Sequence, residues 1–188
     1  MAEPRKERMA ELTKQSTDLP CVTLIGMAGA GKSTVGRALA RLLGWAHLDT
    51  DHVIEADLGR PLQDVFDGLG REAFIKAEER IVAALRLKRC VVSTGGSVVY
   101  GPAAVARLHE LGPVVHLHAD LDIVTRRVGE GKGRGLAIGP GQTVADLYHE
   151  RQALYEATAD LTVDSGALTP EDCAGAIAQW LRSTGILT

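Results

Sequence analysis

Short apolar runs ending at glycine or aspartate alternate with stretches of helical spacing along this chain. Residues 21–25 (CVTLI) stop at Gly26 and have the uninterrupted apolar, β-branched character of a buried parallel strand. Residues 46–48, ending at Asp49, Cys90–Ser93 (CVVS) before Gly95-Gly96, residues 114–117 (VVHL) and residues 161–163 predict four more strands. Between them, residues 33–43 predict a helix with Val35, Leu39, Leu42 and Leu43 on one face. Residues 53–58 and 62–66 are shorter helical patches, and a longer helix is expected near 71–87. Helical spacing returns at 103–111, at 123–128, at 144–157 and in a closing helix at 170–182. Strands alternating with helices predict an α/β fold whose parallel sheet is covered on both faces. No internal repeat is visible.

Two stretches break the alternation. Residues 1–18 are polar and charged and predict an extension ahead of one domain over 19–188. Residues 129–141 carry Gly129, Gly131, Gly133, Gly135, Gly139 and Gly141 with Pro140. So many glycines and a proline cannot hold a regular element, so a mobile loop is predicted there.

Composition narrows the partners. The 188 residues suit a single core, and the formal net charge is −3. That charge argues against nonspecific binding to nucleic acid or to an anionic membrane, both of which need a basic surface. An anion site must therefore be built locally, for a small-molecule substrate. Cys21, Cys90 and Cys173 are far apart and lack metal-ligand spacing, and Cys21 and Cys90, each beside a β-branched run, read as small core residues. No apolar run is long enough to span a bilayer, and the charged N-terminus lacks the apolar centre of a secretory signal. A cytoplasmic monomer is expected.

The chemistry enters at residues 26–33. Gly26-Met27-Ala28-Gly29-Ala30-Gly31-Lys32-Ser33 fits GxxxxGKS directly after a predicted strand and at the start of a predicted helix. The glycines turn backbone N–H groups toward a phosphate chain, and the helix N-terminus adds its positive dipole end. The Lys32 ammonium can reach the β- and γ-phosphates of ATP, and the Ser33 hydroxyl can ligate Mg²⁺. The candidate nucleotide contacts are Gly26, Gly29, Ala30, Gly31, Lys32, Ser33 and Thr34. Such a loop serves kinases, switches, motors and transporters alike, so it fixes the ligand rather than the reaction. No run of four apolar residues followed by aspartate supplies a Walker B strand, so the acidic group must come from elsewhere.

Asp49 and Asp51, in HLDTD, end the second predicted strand, on the edge where open α/β sheets bind ligands. If the backbone there is extended, their two-residue spacing puts both carboxylates on one side. One could hold Mg²⁺ through water while the other accepts or orients a substrate hydroxyl. The competing reading is that Asp51 merely caps a following helix.

With these residues in place, the chain resembles the shikimate kinase family. The resemblance rests on GMAGAGKST with Gly36-Arg37, LDTD at 48–51, Gly59-Arg60-Pro61-Leu62 leading to Val65-Phe66, and Phe74 with Glu78-Glu79. It continues through STGGSVV at 93–99, Arg126-Arg127, Arg134, Arg151 with Leu154-Tyr155, and Val163-Asp164. It runs from residue 21 to 182. It implies a P-loop, nucleoside-monophosphate-kinase-like fold with a five-stranded parallel sheet, a mobile ATP lid and a helical substrate region. The implied activity is transfer of the γ-phosphate of ATP to a hydroxyl of a small hydroxylated acid. By position, Asp51 would hold the substrate hydroxyls as candidate base, and Asp49 would act in the Mg²⁺ shell. Gly95 and Gly96 would present N–H groups to the substrate, and Arg151 would bind its carboxylate. Arg134 would reach the transferring phosphate from the lid, and Arg127 would lie near the adenine. The bland alternatives are a surface ion pair for Arg151 and a solvated lid charge for Arg134.

Three positions depart from the family pattern, all on the substrate side or the lid. Ile75 follows Phe74 where the family has a second carboxylate-binding arginine. Ser97 stands where a third glycine would, and Gly135 follows Arg134 in place of proline. Lys76 cannot fill in for the arginine, because one helical step rotates a side chain by about 100° and an ammonium lacks the planar fork. Shikimate is the acceptor by resemblance. The departures also suit a smaller acid such as homoserine or a gluconate-like acid, or a nucleotide-binding regulator without catalysis.

Overall fold

The computed structural model describes residues 20–130, 138 and 141–187. The predicted extension 1–18, most of the glycine-rich stretch and Arg134 lie outside the described residues. Five strands form the sheet: β1 (Val22–Ile25), β2 (Ala46–Asp49), β3 (Cys90–Ser93), β4 (Val114–His118) and β5 (Leu161–Asp164). All pair in parallel, in the order β2-β3-β1-β4-β5. The helices are α1 (Lys32–Leu43), α2 (Thr50–Leu58), α3 (Leu62–Ala83), α4 (Pro102–Leu111), α5 (Leu121–Glu130), α6 (Val144–Thr158) and α7 (Pro170–Ser183). A single 3₁₀ turn, Val98–Tyr100, follows β3.

The two-residue period of the strands divides the core. Val22 and Leu24 of β1 pack with Leu39 of α1 and with Ile177 and Leu181 of α7. Ile25 packs the other way, with Leu108 of α4 and Leu147 and Tyr155 of α6. The three central strands β3, β1 and β4 bury both faces, which is why their runs read as continuously apolar, while the edge strands β2 and β5 are only partly covered. His116 interrupts one run, yet it is buried and stacks on the Tyr155 ring at 5.1 Å. Burial lowers its pKa to about 4, so it packs as a neutral ring.

Four local expectations are corrected. Helix α2 begins at Thr50 rather than 53, because the Asp49 side chain accepts from the Asp51 N–H and caps it earlier. The patches at 62–66 and 71–87 are one helix ending at Ala83, kinked at Gly70, whose φ of +74° a glycine adopts without strain. Helix α5 continues through Gly129 to Glu130. Leu42 is 51% exposed; Leu43 and Trp45 take the packing positions at that end of α1.

Chain order leaves β1 on one side for β2 and β3 and on the other for β4 and β5. A crevice at the carboxyl ends of the strands follows from that reversal. A cleft of about 790 Å³ lies there, lined by residues 28–35, Asp49, Asp51, Thr94, Gly95, Gly96 and Arg127 among others.

Candidate active site

The loop between β1 and α1 is shaped by glycine. Gly26, Gly29 and Gly31 have φ of +142°, +81° and +89°. A side chain at Gly26 would place its Cβ 2.5 Å from the Leu117 carbonyl oxygen, and one at Gly29 would crowd Arg127. Gly31 is the N-cap of α1, with no side chain competing for the first-turn N–H groups. Those donors face the cleft, as an anion site requires. Lys32 is buried, and its ammonium spans the loop, donating to the carbonyls of Gly26 and Met27 at 2.8 Å each. One of its three donors is left for a phosphate oxygen. Burial lowers its pKa to about 8, opposed by the charges of Asp51 and Asp49, so it stays a cation near neutrality.

The acidic pair meets the loop directly. The Ser33 hydroxyl donates to Asp49 Oδ2 at 2.6 Å, and Asp49 Oδ1 accepts the Asp51 N–H at 3.2 Å. The expected extended backbone is therefore replaced by a cap, and Asp51 stands in the first turn of α2. The capping reading fits Asp49 rather than Asp51. Asp51 makes no side-chain cap and lines the cleft. Burial, reinforced by Asp49, raises its pKa to about 6. Among the described residues no cluster of three or more His, Cys, Asp or Glu could cage a metal. The adjacent Ser33 and Asp49 oxygens do suit a hard cation that takes few protein ligands and completes its shell with water and phosphate.

The opposite wall follows β3. Gly95 and Gly96 are required by crowding, since a Cβ at Gly95 would lie 2.4 Å from Glu78 Oε1 and 3.0 Å from Asp51 Oδ1. A Cβ at Gly96 would lie 2.8 Å from Arg151 Nη1. The Gly95 N–H is not free as the resemblance implies; it donates to the Thr50 hydroxyl at 3.2 Å. Arg151 is 1% exposed, which removes the surface-ion-pair reading; the neighbouring Glu150 pairs with Arg71 instead. Arg151 donates from Nε to the Tyr100 hydroxyl at 3.2 Å. Arg127 donates from Nη1 to the Gly29 carbonyl at 3.1 Å and borders the same cleft. Thr34 lines it at the start of α1.

Two residues gain their meaning only from the fold. Glu78 is buried on α3, one oxygen held by the Ser97 hydroxyl and the other without a partner among the described residues. Burial raises its pKa to about 7 despite that hydrogen bond. Ser97 thus fills its extra volume with a contact that a third glycine could not make. Tyr100 is the hub for Arg71, Arg151 and Glu150. Nothing in the periodicity singles out Tyr100; the charged pattern of α3 does offer Arg71 four residues before Ile75.

Comparison with known proteins agrees with this geometry. The profile of the shikimate kinase family matches residues 28–182. A shikimate kinase of Enterococcus faecalis is 34% identical over 164 residues, covering 86% of this chain and 98% of that protein. One from Salinispora tropica is 41% identical over 167 residues, covering 87% and 99%. A shikimate kinase from Acinetobacter baumannii solved in complex with shikimate superposes with a TM-score of 0.79 at 32% identity, covering 91% of this chain and 97% of that one. The sheet, the glycine loop with Lys32, the buried Arg151 across the cleft and these matches together show that the chain belongs to the shikimate kinase family.

Proposed function

We propose that this protein transfers the γ-phosphate of ATP to a ring hydroxyl of shikimate. The observation that carries the reading is the pairing of two opposite chemistries across one cleft. A cation-bearing phosphate loop faces Asp51, and behind Gly96 lies a buried guanidinium whose Arg151 Nη2 has no partner among the described residues. A buried cation without a carboxylate partner is costly unless a ligand supplies one. Shikimate carries hydroxyls for Asp51 and a carboxylate for Arg151.

In this reading Gly26, Gly29, Ala30, Gly31 and Thr34 cradle the phosphates through the loop and the α1 N-terminus. Arg127 borders the base end of the cleft. Ser33 and Asp49 hold Mg²⁺, which when bound neutralises phosphate charge. Lys32 turns its remaining donor to the phosphate chain. Asp51 orients the acceptor hydroxyl and takes its proton as the oxygen bonds to the γ-phosphorus and the bridging bond to ADP breaks. A pKa near 6 suits that role, because a base works best close to the operating pH. Gly95 supplies closeness rather than a donor, and Gly96 opens the path to Arg151. Arg134 is assigned to the transferring phosphate by family position.

All these groups come from one chain, which supports a monomeric catalytic unit. Three buried free thiols suit a reducing compartment, and the reading places the enzyme in the cytoplasm. Among the described residues, no helix is long and apolar enough to cross a membrane. The test is ADP release with and without shikimate. Shikimate-dependent release at kcat/KM of about 10⁴ M⁻¹s⁻¹ or above supports the assignment; ATP turnover indifferent to shikimate ends it.

A further inference from the structure

Two guanidinium groups share one phenol in the wall behind Gly96. Arg71 Cζ lies 5.2 Å and Arg151 Cζ 5.3 Å from the centre of the Tyr100 ring. Arg71 Nη2 and Arg151 Nε each donate to the Tyr100 hydroxyl at 3.2 Å. That hydroxyl donates to Glu150, which also accepts from Arg71, both at 2.7 Å. The ring contacts fix the planes of both forks.

The charges in this group do not balance. Two cations meet one hydrogen-bonded carboxylate, that of Glu150, whose side chain is 35% exposed; the buried Glu78 acts on Arg151 through space. The hydrogen bonds do not balance either. Arg71 Nε and Arg151 Nη2 are both buried without a partner among the described residues. Idle, dry guanidinium donors on two different helices, converging on one ring, ask for an anion with two acceptor oxygens. Arg151 Nη1 faces the bare Cα of Gly96, which lines the cleft.

Arg71 is also well placed by its helix. It follows the Gly70 kink in α3 and stands four residues before Ile75, on the same helical face. The cation missing at Ile75 is thus present one turn earlier. We propose that Arg71 is the second cationic contact for the acceptor carboxylate, acting with Arg151 across the Tyr100 ring. This rests on the shikimate reading above and adds a specificity-determining residue to it. Glu150 occupies Arg71 in the absence of the acceptor, through an exposed pair that costs little to exchange.

The test is steady-state kinetics on the full-length protein, with thermal midpoints to confirm folding. Arg71→Ala raises the KM for shikimate about 10-fold or more, the loss of one charged contact, and leaves the KM for ATP within about twofold. Arg71→Lys recovers part of the loss, lacking the fork. Glu150→Gln leaves the shikimate KM unchanged or lower, because it removes a competitor. With the carboxamide of shikimate as acceptor, wild type and Arg71→Ala become indistinguishable. A Glu150→Gln variant as impaired as Arg71→Ala would show that Arg71 is only an ion-pair partner, and would overturn the proposal. Wild-type turnover of shikimate with an unchanged KM in Arg71→Ala overturns this inference alone. Absence of shikimate turnover by wild type overturns both this inference and the function on which it rests.

Discussion

The two sides of the cleft are built from different materials. The phosphate side is backbone: glycines at positive φ, a helix N-terminus and a lysine bonded to two main-chain carbonyls. The acceptor side is a network of side chains, in which Ser97 holds Glu78 and Tyr100 holds Arg71, Arg151 and Glu150. A backbone cradle tolerates little change, since a Cβ at Gly26 would meet the Leu117 carbonyl at 2.5 Å. A side-chain wall can exchange one partner for another while keeping its donors and acceptors matched. The departures from the family pattern at Ile75 and Ser97 both fall on the exchangeable side.

That contrast can be broken from either end. The largest effect is expected from Lys32→Ala, which removes the cation fixed to the loop. Turnover should fall by about 10³-fold or more; activity within about tenfold of wild type would remove Lys32 from the mechanism. Asp51→Asn comes next. The amide keeps a hydrogen bond but not the anionic acceptor, so kcat should fall by about 10²–10⁴-fold while ATP affinity measured by titration stays near wild type. Collapse of ATP affinity instead would move Asp51 into the metal shell. Arg151→Ala belongs to the acceptor side only. Its shikimate KM should rise about 10–100-fold with little change in the KM for ATP. Equal losses for both substrates would mean that the wall and the loop are one rigid unit.

The smallest effect is on stability and runs against intuition. The Glu78 pKa of about 7 stands above its ordinary 4.5, so the folded protein retains a proton that the unfolded chain has lost. Stability from this group therefore declines as pH rises from about 4.5 to about 7. Glu78→Gln has no charge to bury and can still accept from Ser97. Its thermal midpoint should exceed that of wild type at pH 8, by about 1–3 kcal/mol in free energy, and the two should converge below pH 4. A Gln variant less stable at pH 8 would show that the carboxylate is well compensated.

The sequence was most legible where chemistry is carried by spacing. All five strands, the glycine loop, and Asp49 and Asp51 are readable because a buried parallel strand, a phosphate turn and a strand-end carboxylate leave fixed local signatures. Boundaries set by side-chain capping were less legible. The start of α2 depends on one oxygen of the Asp49 carboxylate turning back to the Asp51 N–H while the other accepts from Ser33. Gly70 falls between the two helical patches read in the sequence, yet α3 passes through it with a kink because Val65 before it and Phe74 after it pack in one cluster with Ile54 of α2. The acceptor wall was least legible. Tyr100 lies 29 residues from Arg71 and 51 from Arg151, and only the fold brings them together. Ser97 looks like a lost glycine until its bond to Glu78 is seen.

The measurement that bears most directly on this account is the ratio of kcat/KM for shikimate to that for homoserine in the wild-type enzyme. A ring acid that spans from Asp51 to Arg151 uses the whole wall, whereas a short amino acid reaches less of it. The account predicts a ratio above about 100, the worth of one charged contact at the upper end of its range. A ratio below one would contradict it, and Ile75 and Ser97 would then mark a site rebuilt for a smaller acceptor.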